Sequence, residues 1–153
     1  GNSQNKGKAI TKLAAKPADS SQHLFHSLQD AMEITLKLAP NSQVPLIVST
    51  LCNKVRELNG FDTEGIFRIA APRKELEHYK AKLAANDYAV DTQDAHVAAG
   101  LLKDWLRSLK EPLIPQTHYG IAVQMAKKNE LSQEAMEGFL SQLPDVNSAT
   151  IRY

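Results

Sequence analysis

The chain of 153 residues is 42% hydrophobic and 23% charged, ordinary values for a globular domain that exclude wholesale disorder and fibrous repeats. The net charge of +1 is unevenly distributed: residues 1–18 carry four lysines and no acid, and the remainder carries 14 basic against 17 acidic side chains. A neutral to acidic body argues against a general nucleic-acid binder. The longest apolar stretch, residues 44–52, is too short to span a bilayer.

Cysteine content and the N-terminal segment predict the cellular setting. The single cysteine, Cys52, cannot form an internal disulfide and has no Cys/His cluster at zinc spacing beside it, so no metal site is expected. The first residues contain no apolar signal segment. We therefore predict a reducing, cytoplasmic setting, with recruitment to membranes only through a partner or further domains. Residues 1–22 are interpreted as a flexible Lys-rich leader, and residues 23–153 as the folded domain.

Apolar residues recur with a helical period along the folded part, and no alternating strand pattern interrupts them, which predicts an all-α fold. Prolines, glycines and cap-forming residues divide the chain into segments. In chain order these are a short helix carrying Leu24, Phe25, Leu28, Met32 and Leu36, a helix from Pro45 to Leu58, a loop over residues 61–72, helices over residues 73–85, 94–109, 117–128 and 132–143, and a final turn of helix within residues 145–153.

The loop at residues 61–72 carries a single arginine between apolar neighbours. Arg68 is the only charged residue of the segment GIFRIAA, and Gly65 permits an unusual backbone angle. Apolar neighbours on both sides can anchor the loop in the core and hold the guanidinium outward, where its planar fork suits an oxyanion or phosphate. The residues alone leave a second interpretation equally open, in which Arg68 sits at the core edge and pairs with Glu64.

The predicted helix at residues 94–109 has one apolar and one basic face. Lys103 and Arg107 are like charges four residues apart, which costs a few tenths of a kcal/mol unless an anionic partner relieves it. Periodicity alone favours an ordinary solvated face over a binding site. Projection at 100° per residue places Val97, Ala98, Leu101, Leu102, Trp105 and Leu109 toward the core, and His96, Ala99, Gly100, Lys103, Arg107 and Lys110 on the opposite side, where the small residues would let another surface approach.

Four ordered segments together resemble the Rho GTPase-activating protein (RhoGAP) domain. Residues 64–68, EGIFR, resemble the arginine-finger loop of that family, and residues 96–115, HVAAGLLKDWLRSLKEPLIP, resemble its second signature. Residues 44–48, VPLIV, are similar to the start of its first long helix, and residues 143–147, LPDVN, resemble a later Leu-Pro-x-x-Asn segment. The spacing between the segments also fits. The resemblance covers residues 24–153 and implies a RhoGAP-type helical fold.

The resemblance implies a GTPase activator that inserts an arginine in trans into the active site of a GTP-bound Rho-family GTPase. It needs no cofactor of its own, since GTP and Mg²⁺ belong to the partner; whether such an activator is itself an enzyme is left open. By resemblance the Lys of the signature helix faces the partner and the Arg braces the finger loop. The assigned residues are Arg68 as catalytic, Lys103, Arg107, Gly100 and His96 as partner-binding, and Glu64, Gly65 and Phe67 as support for the loop.

Departures from the family pattern keep an alternative open. Ala70 and Ala71 stand where many members have Ser-Gly, and Lys110 replaces a common Pro. The family continues through an Asn-Lys-Met-x-x-x-Asn-Leu segment that this sequence does not contain, so we expect the fold to lack its last helices and to self-associate through faces left uncovered. The alternative function is a non-catalytic helical adaptor that binds a small GTPase or another acidic surface.

Overall fold

The computed structural model describes residues 27–153, which form seven α-helices and one 3-10 helix without any strand in that range. This confirms the predicted all-α class. The leader and the helix positions Leu24 and Phe25 lie outside the described residues. The helices are α1 (Leu28–Leu38), α2 (Leu46–Glu57), α3 (Arg73–Ala84), α4 (Ala95–Ser108), α5 (Gln116–Lys127), α6 (Gln133–Leu140) and α7 (Asp145–Arg152), with the 3-10 helix at Gly60–Asp62.

Prolines and polar caps set where the helices begin. Pro45, Pro72, Pro115 and Pro144 directly precede α2, α3, α5 and α7, and their fixed φ near −55° leads the chain into the first turn. The other starts use side-chain oxygens; for example, Asp94 accepts a hydrogen bond of 2.8 Å from the His96 amide at the start of α4. The cap at Asp94 fixes where α4, the helix that the arginine loop contacts, begins.

Asparagines in left-handed conformation end several helices. Asn59, Asn86 and Asn129 have φ values of 53°, 59° and 56° and follow α2, α3 and α5. Asparagine tolerates this conformation better than most residues, so it turns the chain sharply at low cost. After α2 the turn is followed at once by Gly60, where a Cβ would lie 2.5 Å from the Val55 side chain. The loop therefore leaves α2 in close contact with it.

The main core lies between α2 and α4, with α1 and α3 packed around them. Leu51 and Val97 are completely buried, and Trp105 fills the space at the far end of α4. Each buried side chain of this size contributes about 1.5 to 3 kcal/mol relative to an exposed one. The buried members of this cluster are Leu28, Ala31, Ile47, Val48, Leu51, Tyr79, Leu83, Val90, Val97, Leu101 and Trp105.

A smaller cluster forms where α5, α6 and α7 meet. Phe139, Leu140 and Leu143 are its buried residues, and Met125 and Ile151 pack against them at half exposure. Helix α5 itself has no buried residue. The second cluster is joined to the rest partly through Asn147 in α7, whose amide donates a hydrogen bond of 2.9 Å to the carbonyl oxygen of Leu113.

Four details differ from the sequence-based expectations. Leu36 is 44% exposed, and the buried residue at that level of α1 is Thr35, whose hydroxyl accepts a hydrogen bond from the Leu46 amide and so caps α2. Helix α7 has eight residues rather than a single turn, and α6 ends at Leu140. On α4, Ala99 is 1% exposed because Val55 and Ile66 pack over it, so the expectation that it faces outward was wrong.

Among the described residues, no helix combines the length and the apolar character needed to cross a membrane.

Candidate functional site

The arginine loop, residues 63–71, is a compact series of turns with two residues in left-handed conformation. The Gly65 carbonyl accepts hydrogen bonds of 2.8 Å from the amides of both Arg68 and Ile69. Gly65 has φ +70°, and Phe67 has φ 66°, a conformation that costs a non-glycine residue energy and persists only where the surroundings hold it. The loop therefore has a defined shape on either side of Arg68.

One apolar side chain anchors this loop. Ile66 is half-buried and packs against the cluster formed by Val55, Ala98 and Ala99. Phe67 and Ile69, by contrast, are 43% and 47% exposed. The expectation that apolar neighbours on both sides would enter the core is thus corrected: the anchor lies two residues before Arg68, and the flanking pair stays at the surface.

Arg68 is exposed, and among residues 27–153 its guanidinium has no hydrogen bond or ion pair with another side chain. Its Nη2 lies 3.2 Å from the place where a Cβ on Gly65 would be, so the missing side chain leaves room for the guanidinium. Glu64 is also exposed and forms no ion pair with Arg68. The core-edge pair considered from the sequence is therefore not formed.

Lys103 and Arg107 of α4 hold different positions from those expected. The Lys103 ammonium donates a hydrogen bond to the carbonyl oxygen of Phe67, so the lysine contacts the loop. The Arg107 side chain is 72% exposed, and its Nη1 lies 3.9 Å from Asp104 Oδ1. In the free chain it is therefore the lysine, and not the arginine, that contacts the loop; which of the two meets a partner stays a prediction.

A groove of about 140 Å³ separates the arginine loop from α4, and five of the assigned residues line it. His96 presents a buried Nδ1 atom without a hydrogen-bond partner among the described residues. Asp104 is the only acidic residue of the lining. The lining residues are Phe67, Ile69, Ala70, Ala71, Leu76, His96, Ala99, Gly100, Lys103, Asp104 and Arg107. Arg68 does not line this groove.

The space at Gly100 is occupied by the chain itself. A Cβ on Gly100 would lie 3.1 Å from Cδ2 of Leu76 and 3.6 Å from the Cβ of Ala71. The small residue thus lets α3 and the end of the arginine loop approach α4 closely. Ala99, on the same side of the helix, is covered by Val55 and Ile66.

Sequence reasoning missed an ion pair beside this groove. Lys80 on α3 contacts the carboxylate of Asp104 at 2.5 Å, and the side chains are 29% and 30% exposed. No motif joins these residues, which lie 24 positions apart on different helices. The only sequence signal was that Asp104 is an acid between the two cations of the basic face.

Cys52 lies near the loop without the properties of a nucleophile. It is half-buried and lines an apolar cavity of about 180 Å³ together with Phe61 and Phe67. Burial raises the pKa of its thiol, and the nearby Arg56 offsets this only in part. The interpretation of Cys52 as a small packing residue is consistent with this setting.

Comparison with known proteins assigns the fold and the loop to a family. The family model described as "RhoGAP domain" matches residues 45–153, which is most of the chain. The chain belongs to the RhoGAP domain family. That range contains both α4 and the arginine loop, so the features described above lie within the RhoGAP domain itself.

Individual relatives and a solved structure agree with this assignment. The domain is 34% identical over 138 residues to "GTPase activating protein homolog 3" of Dictyostelium discoideum, and 37% identical over 119 residues to rat "Rho GTPase-activating protein SYDE1". The matches cover 89% and 71% of this chain but only 10% and 16% of those relatives. The crystal structure of human Rho GTPase activating protein 15 superposes with a TM-score of 0.68 at 26% identity, covering 83% of this chain and 60% of the other.

Proposed function

We propose that this RhoGAP domain accelerates GTP hydrolysis on a GTP-bound Rho-family small GTPase by inserting Arg68 into the active site of the GTPase. The observation that carries the proposal is the state of Arg68: an exposed guanidinium, unpaired with other side chains among the described residues, on a loop whose backbone is held on both sides. Family membership and the names of the relatives support a GTPase of this class as the partner.

Charge development in the reaction explains why an arginine suits this position. Negative charge on the transferred γ-phosphoryl group and its leaving oxygen must be stabilised in the transition state, and a guanidinium offers several donors and a permanent charge. An arginine supplied in trans typically accelerates GTP hydrolysis by about 10³- to 10⁵-fold, which corresponds to about 4 to 7 kcal/mol. Nucleotide, Mg²⁺ and the residue that orients water belong to the GTPase.

Loop order is part of the proposed mechanism, because a mobile arginine would lose entropy when it enters the active site. The Ile66 anchor and the Lys103 hydrogen bond to Phe67 reduce that loss. Preorganised groups contribute most when they meet charge that appears only in the transition state. Gly65 and Phe67 accordingly support the loop in this proposal, with Gly65 providing both its left-handed turn and the room for the guanidinium. Support of the loop by the exposed Glu64 stays an expectation from the resemblance.

The basic side of α4 is the proposed contact surface for the GTPase. Arg107 is largely exposed, and Lys103 lies between it and the loop, so both can meet carboxylates of the partner. Complementary charges mainly raise the association rate and set orientation. His96 and Gly100 line the same groove, where the unpartnered Nδ1 of His96 offers a hydrogen-bonding group to a partner side chain.

Single-turnover GTP hydrolysis tests the proposal. GTP-loaded Rho-family GTPases are mixed with increasing concentrations of the domain, which yields a saturating rate constant and a half-saturating concentration. We expect Arg68→Ala to remove about 10³-fold or more of the saturating acceleration and to leave binding within about tenfold. Arg68→Lys should also fail largely, because the ammonium lacks the planar fork.

The matched control is Arg73→Ala. Arg73 is also an exposed arginine, 91% exposed at the start of α3, where its ion-pair partner among residues 27–153 is Glu77. The control should retain full acceleration. An equal loss in Arg68→Ala and Arg73→Ala would contradict a specific role for Arg68. Binding without acceleration by the unmodified domain would favour the adaptor function instead.

A further inference from the structure

Besides the α3 side chains that are buried in the main core, helix α3 meets α4 through two contacts that lie one helical turn apart on both helices. Leu76 packs over Gly100, and Lys80 forms its ion pair with Asp104. Positions four residues apart share one face of a helix. The buried side chains hold α3 against the core, and these two contacts, spaced along both helices, help to set the angle between them.

The Lys80–Asp104 pair has stronger geometry than the other contact that Asp104 makes. The Lys80 ammonium lies 2.5 Å from Oδ2, and both side chains are mostly shielded from water. Arg107 reaches only to 3.9 Å from Oδ1 and is itself largely exposed. Partial burial reduces solvent screening of the pair. The main ion pair of Asp104 is therefore with Lys80 of α3, and its contact with Arg107 on its own helix is weaker.

Helix α3 continues directly from the arginine loop. Pro72 opens the helix, and Ala71, just before it, packs near Gly100. The last two residues of the arginine loop, Ala70 and Ala71, therefore lead into the first turn of α3 without an intervening flexible segment. A rotation of α3 on α4 moves the C-terminal end of the loop, while Ile66 holds the N-terminal part against the cluster of Val55, Ala98 and Ala99.

We propose that Lys80 and Asp104 are positioning residues that hold the exit of the arginine loop, and hence Arg68, in the orientation needed for GTP hydrolysis. This rests on the proposed activity of Arg68. Because misplacement of a catalytic group by about 1 Å can cost up to 10²-fold in rate, loss of the pair lowers the saturating rate constant. The half-saturating concentration stays within about twofold, since Lys80 does not line the groove.

Lys80→Met separates this role from direct contact between Asp104 and the partner. It breaks the ion pair and leaves every residue of the groove lining in place. Asp104→Asn breaks the same pair from the other side with little change in shape. If the two residues act as a pair, both substitutions lower the saturating rate about three- to tenfold, and the double variant is no worse than either alone. The control is Lys74→Met, the same substitution at an exposed lysine of α3.

A second measurement does not depend on any GTPase. Amide hydrogen exchange of Arg68 and Ile69 reports on the hydrogen bonds that both donate to the Gly65 carbonyl. Lys80→Met and Asp104→Asn should speed this exchange severalfold compared with Lys74→Met. Far-ultraviolet circular dichroism confirms that all variants are folded.

The outcomes distinguish this inference from the proposed function. Unchanged amide exchange in both variants overturns the positioning role, whether or not the domain is an activator. A rate loss in Asp104→Asn but not in Lys80→Met also overturns it and assigns Asp104 to partner contact. Faster exchange without acceleration by the unmodified domain supports the positioning of the loop and contradicts the activator function.

Discussion

The ammonium of Lys103 on α4 donates a hydrogen bond to the carbonyl oxygen of Phe67, the residue directly before Arg68. Phe67 has a positive φ, so this bond stabilises a backbone conformation that the residue would otherwise avoid. The cation Lys103 thereby stabilises the conformation of the loop that carries a second cation, Arg68. The contact links the basic face of α4 to the geometry of the proposed catalytic arginine.

Lys103→Met should lower the saturating rate of GTP hydrolysis about tenfold. A hydrogen bond from a charged donor contributes about 1.5 to 3 kcal/mol, and exposure of this one reduces its contribution to the low end of that range. The substitution should also weaken GTPase binding, more at low salt than at high salt, because the proposed contact surface loses a positive charge. Titrations at two ionic strengths measure both effects. Lys110→Met, at an exposed lysine just beyond the end of α4, is the control. A dissociation constant unchanged by Lys103→Met would exclude a partner-facing role.

Gly65→Ala should destabilise the domain and impair its activity together. A left-handed conformation costs a non-glycine residue about 1 to 2 kcal/mol, and the added Cβ would lie 2.6 Å from Cδ1 of Ile69. Gly138→Ala is the opposite case, because among the described residues no atom beyond its chain neighbours and the adjacent backbone of its own helix lies within 4 Å of a Cβ there, and alanine favours a helix by up to about 1 kcal/mol. Urea unfolding of both variants measures the change in the free energy of unfolding, which should decrease for Gly65→Ala and increase for Gly138→Ala. A Gly65→Ala domain as stable and active as the unmodified one would contradict the described loop.

Tyr79→Phe should change how stability depends on pH. Burial, together with the hydrogen bond of 2.8 Å to Asp91, raises the pKa of Tyr79 to about 12, and the same bond lowers the pKa of Asp91. The raised phenol pKa contributes stability below its ordinary value of 10, which is lost as pH rises through about 12. The lowered carboxyl pKa contributes stability above its ordinary 3.8, which is lost as pH falls through the folded value. The difference in urea midpoint between the unmodified domain and Tyr79→Phe should therefore be largest between these limits and shrink at both ends; a difference independent of pH would contradict the pairing.

Self-association remains a prediction, and the surface of α5 and its neighbours is where we expect it. Tyr119 and Ile121 on α5 are 56% and 45% exposed, and Leu131 beyond the helix is 53% exposed. Exposed apolar surface of this kind favours association between copies. Light scattering over a range of concentrations measures it. A constant monomer mass up to high concentration would refute the prediction, and Ile121→Lys should reduce any association observed.

Much of the fold could be predicted because local signals coincide with the helix boundaries. Pro72 and Asp94 mark the starts of α3 and α4, and Asn59 with Gly60 marks the turn after α2. The core face of α4 followed from its period of 3.6 residues. These features are determined by residues within one or two helical turns of each other in the sequence. They can therefore be predicted without knowing the tertiary contacts.

Contacts between distant segments were the part that the sequence did not predict. Ala99 was expected to face outward, but its burial depends on Val55 and Ile66, which come from a different helix and from the loop. The Lys103 hydrogen bond spans 36 residues, and the Lys80–Asp104 pair joins two helices. Helical periodicity gives the direction of a side chain but not what lies opposite. The motif therefore predicted a candidate site, and the tertiary contacts show how its side chains are arranged in the free chain.

The most direct test of the central claim compares two states of the GTPase with one pair of domains. Binding of the unmodified domain and of Arg68→Ala is measured first to a GTPase loaded with a non-hydrolysable GTP analogue, and then to the same GTPase with GDP and aluminium fluoride, which mimics the transferred phosphoryl group. Because Arg68 is proposed to act in the transition state, the unmodified domain should bind the second state at least about 10²-fold more tightly, and Arg68→Ala should lose that preference while binding the first state almost normally. An equal loss of affinity for both states, or a preference that survives Arg68→Ala, would contradict the account.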